Sequence, residues 1–269
     1  MIYILIIAAL ILLALMYMSF EATWIDVRRI YFSKDRNALK VLQLSDIHIS
    51  RLKVNHRIVK EIIESENPDV IILTGDYIEE KQHVQDFFKF FDNIRNDCRN
   101  IYFCLGNHDY EAFWEDCSSQ EDFIRSMESR GCMVLHNASV CYQKGSKKYN
   151  IIGIADMRYK KHDIQLTLQN CCKDASASIA FSHNPDIVLE IPKGSIDYLF
   201  CGHFHGGQIW APFNIEFAIL RREKLCKMGI TRGLHKVNNI NLYINKGLGN
   251  VVFPLRFFSR PEITLFYLP

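Results

Sequence analysis

Five short polar motifs, each set directly behind an apolar run of strand type, constrain this chain more than any other feature. They are Asp46-Ile47-His48, Gly75-Asp76, Gly106-Asn107-His108-Asp109, Ser182-His183 and Gly202-His203-Phe204-His205. Residues this far apart meet only if the strands before them lie in sheets with their C-terminal ends at one edge. The side chains on offer are carboxylates, an amide oxygen and imidazoles, without thiolate, a donor set for divalent ions. Singly the motifs are weak, since Gly-Asp is a common turn and a lone histidine is usually a core residue. Their joint occurrence behind buried strands points to one metal site.

Between the motifs, strand alternates with helix. Residues 40–45 read as a strand, 55–66 as an amphipathic helix and 69–74 as a second buried strand, a βαβ opening. A helix over 84–96, a strand over 100–105, a helix over 120–130 and a strand over 133–135 repeat the pattern. Further on, residues 140–143 and 149–154 flank a Lys144-Gly145-Ser146-Lys147-Lys148 hairpin turn, and 179–182, 198–201, 242–245 and 263–267 add strands. Two sheets between helices are expected, in one domain over residues 39–269. With 269 residues, 49% of them hydrophobic, the chain can bury such a core.

The N-terminus reads differently. Residues 2–20 carry no charge, and at about 1.5 Å per residue they nearly span a hydrocarbon core of ~30 Å. A cleaved signal peptide would show a basic start and a small-residue cleavage site, and a buried helix rarely stays apolar on every face. Residues 1–24 are therefore expected to form a membrane anchor helix, with 25–38 as a charged connector. Tyr17, Phe20 and Trp24 suit the headgroup level, so the lipid bilayer is an expected partner. Arg28, Arg29, Lys34 and Arg36 follow the span and no basic residue precedes it, which predicts a single pass in the cell membrane with the domain in the cytoplasm. Nine cysteines, an odd number without a CxxC pair, fit a reducing compartment better than a disulfide framework or structural zinc. A formal charge of +2 argues against a nucleic-acid partner, and no obligate protein partner is evident.

Two divalent ions roughly 3.5–4 Å apart, held by oxygen and imidazole, suit hydrolysis at phosphorus. A water shared between them would supply hydroxide near neutral pH while the ions neutralise the phosphoryl oxygens. Asp46 and His48 can face one ion, and Gly75 lets the backbone turn so that Asp76 approaches both. His108, beside Asn107, is placed to protonate the leaving oxygen. Asp109 has two readings: it orients His108 through the other ring nitrogen, or it caps a helix.

The ordered set Asp46-x-His48, Gly75-Asp76, Gly106-Asn107-His108-Asp109, His183 and Gly202-His203-x-His205 resembles the calcineurin-like metallophosphoesterase family, from about Lys40 to the C-terminus. That resemblance implies an α/β fold, a four-layer αββα sandwich of two mixed sheets. It also implies one metal on Asp46, His48 and His205, a second on Asn107, His183 and His203, and Asp76 bridging them. Phe204 stands where threonine is common in the family. Gly202 to Ile209, Lys246 to Gly249 and Arg256 to Ile263 are similar to a bacterial membrane-anchored branch that includes the UDP-diacylglucosamine pyrophosphatase type. The implied activity is a metal-dependent phosphodiesterase or pyrophosphatase acting on a phospholipid or nucleotide-linked lipid. The alternative is hydrolysis of soluble cyclic nucleotides or phosphoesters, and a non-enzymatic scaffold is disfavoured because every expected ligand is present. Manganese is the expected metal, although iron, zinc or cobalt suit the same donors. Substrate contacts are expected from residues 212–235, where Phe213, Ile215, Phe217, Ile219 and Leu220 stand beside Arg221, Arg222, Lys224 and Lys227. This stretch either covers the site, meeting acyl chains and phosphate, or is a surface hairpin with core-facing aromatics. Arg256, with Arg232 and Arg260, is a further candidate for phosphate.

Overall fold

The computed structural model describes residues 1–95, 98, 100–114, 116–209, 217 and 221–269. An apolar helix, α1 (Ile2–Glu21), comes first, and β1 (Asp26–Tyr31) follows it closely. The chain then alternates through β2 (Leu39–Leu44), α2 (His56–Glu66), β3 (Val70–Thr74), α3 (Val84–Ile94), β4 (Ile101–Cys104), α4 (Asn107–Ala112), α5 (Cys117–Ser129) and β5 (Cys132–Val134). Local chemistry sets the boundaries. Asn55 caps α2 by accepting the Arg57 N–H, and Asn67 closes it in the left-handed region at φ 44°. Asp116 opens α5 in the same way, accepting the Ser119 N–H. Every position of β3 is buried, as befits a parallel strand covered on both faces.

The second half contributes β6 (Ala138–Lys144), β7 (Lys147–Gly153), α6 (Ile164–Gln169), β8 (Ala177–Phe181) and β9 (Tyr198–Cys201). It ends with α7 (Lys224–Lys227), β10 (Gly233–Val237), β11 (Ile240–Ile244) and β12 (Glu262–Leu268). Two sheets result, ordered β1-β12-β2-β3-β4-β5 and β10-β11-β9-β8-β7-β6. Both are mixed: β12 is antiparallel to β2, β10 to β11 and β6 to β7, while the other pairs are parallel. Between them lies an apolar layer in which Val41, Ile72 and Tyr102 meet Ile151, Ile179 and Phe200. Phe200 stacks on Phe266 across this seam with ring centroids 3.8 Å apart. The outer face of the first sheet is covered by Val59, Ile63, Phe87, Phe91, Phe123 and Met127 of α2, α3 and α5. The second is covered by a group that includes Ile187, Ile191, Leu225 and Phe217. This is the expected four-layer αββα sandwich.

One expectation needs correcting. The segment read as a connector over 25–38 is not all linker, because Asp26–Tyr31 pairs in register with Glu262–Tyr267 of β12. Arg28 and Arg29 face solvent there, and a charged edge strand of this kind reads as a loop in sequence. The topology has a consequence for position. Because β1 is parallel to β12 and β12 is antiparallel to β2, β1 starts at the end where β2 stops, next to Asp46. Helix α1 therefore leaves the domain from the pole that carries the C-terminal ends of the central strands. It has a mean hydropathy of 2.6, its apolar window is not covered by the domain, and it is long and apolar enough to cross a membrane.

Replacing Phe266 by alanine opens the seam between the sheets. The full chain in detergent is expected to lose about 3–5 kcal/mol of stability to urea; a loss below about 1 kcal/mol would mean that the stacked pair contributes no more than an ordinary surface contact.

Candidate metal centre

The five motifs meet at that pole. Asp46 follows β2, Asp76 follows β3, Asn107 follows β4, His183 follows β8, and His203 and His205 follow β9. All these side chains and His48 are buried. Asp46, His48, Asp76, His203 and His205 have φ between 43° and 72°. Aspartate and histidine enter this left-handed region more readily than most residues, and strain of this kind persists where function requires it. Two glycines permit the crowding: a Cβ on Gly106 would run into the Asp76 carboxylate, and one on Gly202 into that of Asp46.

Two groups of donor atoms result, one from Asp46, His48 and His205 and the other from Asp76, His183 and His203. In the first, His48 Nε2 lies 3.1 Å from His205 Nε2, which lies 3.3 Å from Asp46 Oδ1. In the second, His183 Nε2 lies 3.0 Å from His203 Nδ1 and 3.1 Å from Asp76 Oδ2. Asp76 Oδ2 is also 3.6 Å from His48 Nε2, so one carboxylate oxygen faces both groups. The Asn107 oxygen points at the same nitrogens, 3.2 Å from His183 and 2.9 Å from His203. Lone pairs buried this close repel unless a proton or a cation lies among them. The donor set therefore fits two divalent ions, with Asn107 completing the second group.

The far sides of the imidazoles are held as ligand histidines require. His48 Nδ1 is 3.1 Å from Glu79, whose carboxylate also accepts from Ser50 and Arg51. His183 Nδ1 faces the Thr74 carbonyl at 2.9 Å, and His203 Nε2 faces Glu223 at 3.0 Å. His205 Nδ1 has no partner among the described residues. Burial holds His203 down to about 4 and His205 well below the usual histidine range, so both keep a lone pair at neutral pH. At His183 burial opposes the charge, but Asp76 and Asp46 outweigh it and raise the group to about 10. A cation entering there takes the place of that proton.

Beside the donors, His108 is partly exposed, its ring 5.2 Å from that of His48. Its main-chain N–H donates to Asp76 Oδ1 at 2.9 Å. Asp109 is not the residue that orients it. The Asp109 carboxylate is buried and accepts the N–H groups of Asp76, Tyr77, Ile78 and Gly106, so it acts on the start of α4 and on the neighbouring loop. Burial and Asp76 push this group up to about 7. The partner of His108 is Glu111, 3.0 Å from Nδ1, one helical turn along α4.

Arg256 is not positioned for substrate. It is fully buried, and its guanidinium donates to the carbonyls of Lys246, Gly247, Gly249 and Ser259. Arg260 is turned to the Trp24 and Ile25 carbonyls, and Arg232 to those of Gly206 and Phe258. Arg221 donates to the His203 carbonyl and pairs with Glu223, while Arg222 is exposed. Phe213, Ile215, Ile219 and Leu220 lie outside the described residues. Phe217 is buried against Phe204, as the core-facing reading of that stretch required. Lys224 and Lys227 are exposed on α7.

Five residues escaped the sequence reading. Glu79, Glu111 and Glu223 sit in loops or a short helix, where an acidic residue carries no distinguishing signal. Asp156 is different. It is buried, follows the strand run of residues 149–154 as Asp76 follows β3, and its Oδ2 has no partner among the described residues. Arg158, just beyond, brings Nη1 within 3.2 Å of the Asn107 amide.

Comparison with known proteins agrees with this geometry. The profile of a family described as calcineurin-like phosphoesterase matches residues 39–207. The chain is 31% identical to the uncharacterized metallophosphoesterase YkoQ of Bacillus subtilis over 85% of its length and 83% of that protein. It is 27% identical to the phosphodiesterase YaeI of Escherichia coli, over 94% of this chain and 92% of that one. It is also 27% identical to the UDP-2,3-diacylglucosamine pyrophosphatase LpxG of Chlamydia muridarum, over 85% and 83%.

Glu79→Gln and Glu223→Gln each weaken the support behind a candidate ligand. Divalent-ion affinity, measured by calorimetry on the metal-stripped chain, is expected to fall about 10–100-fold in each. Affinity equal to the parent's would remove these carboxylates from the site. Gly106→Ala, which forces Asp76 aside, is expected to leave the circular dichroism spectrum intact while lowering bound metal per chain; full metal content would show that Asp76 tolerates the shift.

Proposed function

Because the chain belongs to the calcineurin-like phosphoesterase family, we propose that it is a membrane-anchored phosphodiesterase or pyrophosphatase using two metals on a phospholipid or nucleotide-linked lipid. The carrying observation is that two buried donor groups share Asp76 at the pole from which the apolar helix α1 departs. The similarity to the phosphodiesterase YaeI and to the UDP-2,3-diacylglucosamine pyrophosphatase LpxG supports a diester or lipid-linked pyrophosphate as substrate. Basic residues following α1 support a cytoplasmic position for the domain.

Asp46, His48 and His205 would hold one ion, Asn107, His183 and His203 the other, with Asp76 between them. When bound, the ions would polarise the phosphoryl oxygens and make water a nucleophile near neutral pH. The chain's own residues supply orientation and protons. Glu111 holds His108 through Nδ1, which leaves Nε2 to give a proton to the departing oxygen. Arg158, half exposed beside Asn107, offers a guanidinium fork to a phosphoryl oxygen, the role expected of Arg256 from sequence. Manganese is the metal we expect to support turnover, with iron, zinc or cobalt compatible with the same donors.

The test uses the full chain in detergent with manganese, comparing bis-p-nitrophenyl phosphate with p-nitrophenyl phosphate. The parent should prefer the diester, and His108→Asn should lose about 10²–10⁴-fold in kcat, with Asp76→Asn losing metal as well as rate. A preference for the monoester, or a His108→Asn rate equal to the parent's, would overturn the reading. Turnover of soluble cyclic nucleotides faster than any lipid ester in mixed micelles would favour the alternative in which the helix serves only as an address.

A further inference from the structure

We propose that the loop of residues 250–258 is a bilayer collar: Val252 and Phe253 insert among lipid chains beside the exit of α1 and hold the metal pole against the membrane surface. The proposal deepens the lipid reading above and rests on it for the substrate, while the contact itself stands on separate geometry.

The last turns of α1 are fastened to this loop. Arg256 N–H donates to the Met18 carbonyl at 3.1 Å, and Tyr17 packs edge-on against Phe257. Glu21 is buried, and its carboxylate accepts the N–H groups of Phe258 and Ser259 at 3.1 and 3.0 Å. The other side of the loop is fastened to the metal centre. Ser259 Oγ donates to the His205 carbonyl at 2.9 Å, and the Phe257 N–H to that of Gln208 at 3.0 Å. The Gln208 side-chain nitrogen lies 2.6–3.0 Å from the carbonyls of Val251, Phe253 and Leu255, and its oxygen accepts the Val251 N–H. The base of the loop is thus closed by hydrogen bonds, with the buried Arg256 guanidinium beneath it.

The tip of such a loop would ordinarily be polar. Here Val252 is 71% and Phe253 61% exposed, and Val252 sits at φ 62°, a region that β-branched residues seldom enter. Phe20 and Trp24 are exposed at the end of α1, and the Arg260 guanidinium lies 3.9 Å over the Trp24 ring. Exposed apolar side chains with aromatic residues and a cation at their margin match the chemistry of a headgroup boundary. Only residues 22–25 separate α1 from β1, which starts at the metal pole, so the domain cannot swing far from the bilayer. The occupant is therefore the membrane that α1 enters.

The experiment reconstitutes the full chain in phosphatidylcholine and phosphatidylglycerol vesicles carrying brominated acyl chains. Phe253→Trp should gain emission, relative to the parent, that brominated lipid quenches and aqueous acrylamide does not. Ser146→Trp is the control, on the β6–β7 turn near Asp69 and Ala38 at the opposite pole, and should show the reverse. Equal lipid quenching at both positions, or acrylamide access at 253, would overturn the collar. Hydroxyl-radical footprinting of the unmodified chain in the same vesicles removes dependence on the variants. Phe253 should be protected while Tyr31, at the far end of β1, is labelled, and labelling of both would be equally fatal. Neither readout needs turnover, so a soluble natural substrate would sink the lipid reading and leave the collar standing.

Discussion

Lone pairs from Asp46, His48, Asp76, Asn107, His183, His203 and His205 converge on buried side chains, and their mutual repulsion is the constraint around which this structure is arranged. It explains why the backbone enters the left-handed region at five of these positions and why glycines stand at the points of closest approach. It also explains the carboxylates and the carbonyl behind the imidazoles, which select the nitrogen that faces inward. Asp76 is the hub, because its side chain faces both donor groups while its own N–H is taken by Asp109. Asp109 in turn ties the loop after β3 to the start of α4 through four amides, so one buried carboxylate orders two of the motifs at once.

The same pole is also the mechanical junction with α1. Glu21, at the end of the apolar helix, is linked through Ser259 to the carbonyl of His205 by two successive hydrogen bonds. The proposed reaction on a lipid-linked ester would gain from this arrangement, since with α1 in a bilayer a headgroup would not have to travel far to reach the candidate metal centre. Arg256 belongs to this junction. Its charge satisfies carbonyls that would otherwise be buried without donors, and that is why it is unavailable to phosphate.

Much of the frame was legible in sequence. β3, β4, β8 and β9 are short, continuous apolar runs, which is how strands buried on both faces read, and the amphipathic period of α2 and α3 is equally plain. β1 was not legible because its alternation is broken by paired arginines and because its partner, β12, is supplied by the last residues of the chain. The donors were legible as types, imidazole and carboxylate behind strands. Their supporting residues were not, since nothing local distinguishes Glu79, Glu111 or Glu223 from the other acidic residues of the surface.

By itself, then, the sequence determined the properties that one residue or one short run carries: the chemical type of each donor, the strands that precede them and an apolar helix long enough to cross a membrane. Only the tertiary structure decided the properties that depend on separation in space. It assigned Glu111 rather than Asp109 to His108, withdrew Arg256 into the interior, and set the exit of α1 at the metal pole by placing β12 between β1 and β2. The physical reason is that hydrogen bonds and ion pairs act over about 3 Å, and the folded backbone sets which groups come that close, whether they are neighbours in sequence, as His108 and Glu111 are, or stand at opposite ends of the chain, as Glu21 and Ser259 do. Neither spacing nor periodicity along the chain encodes which of them will meet.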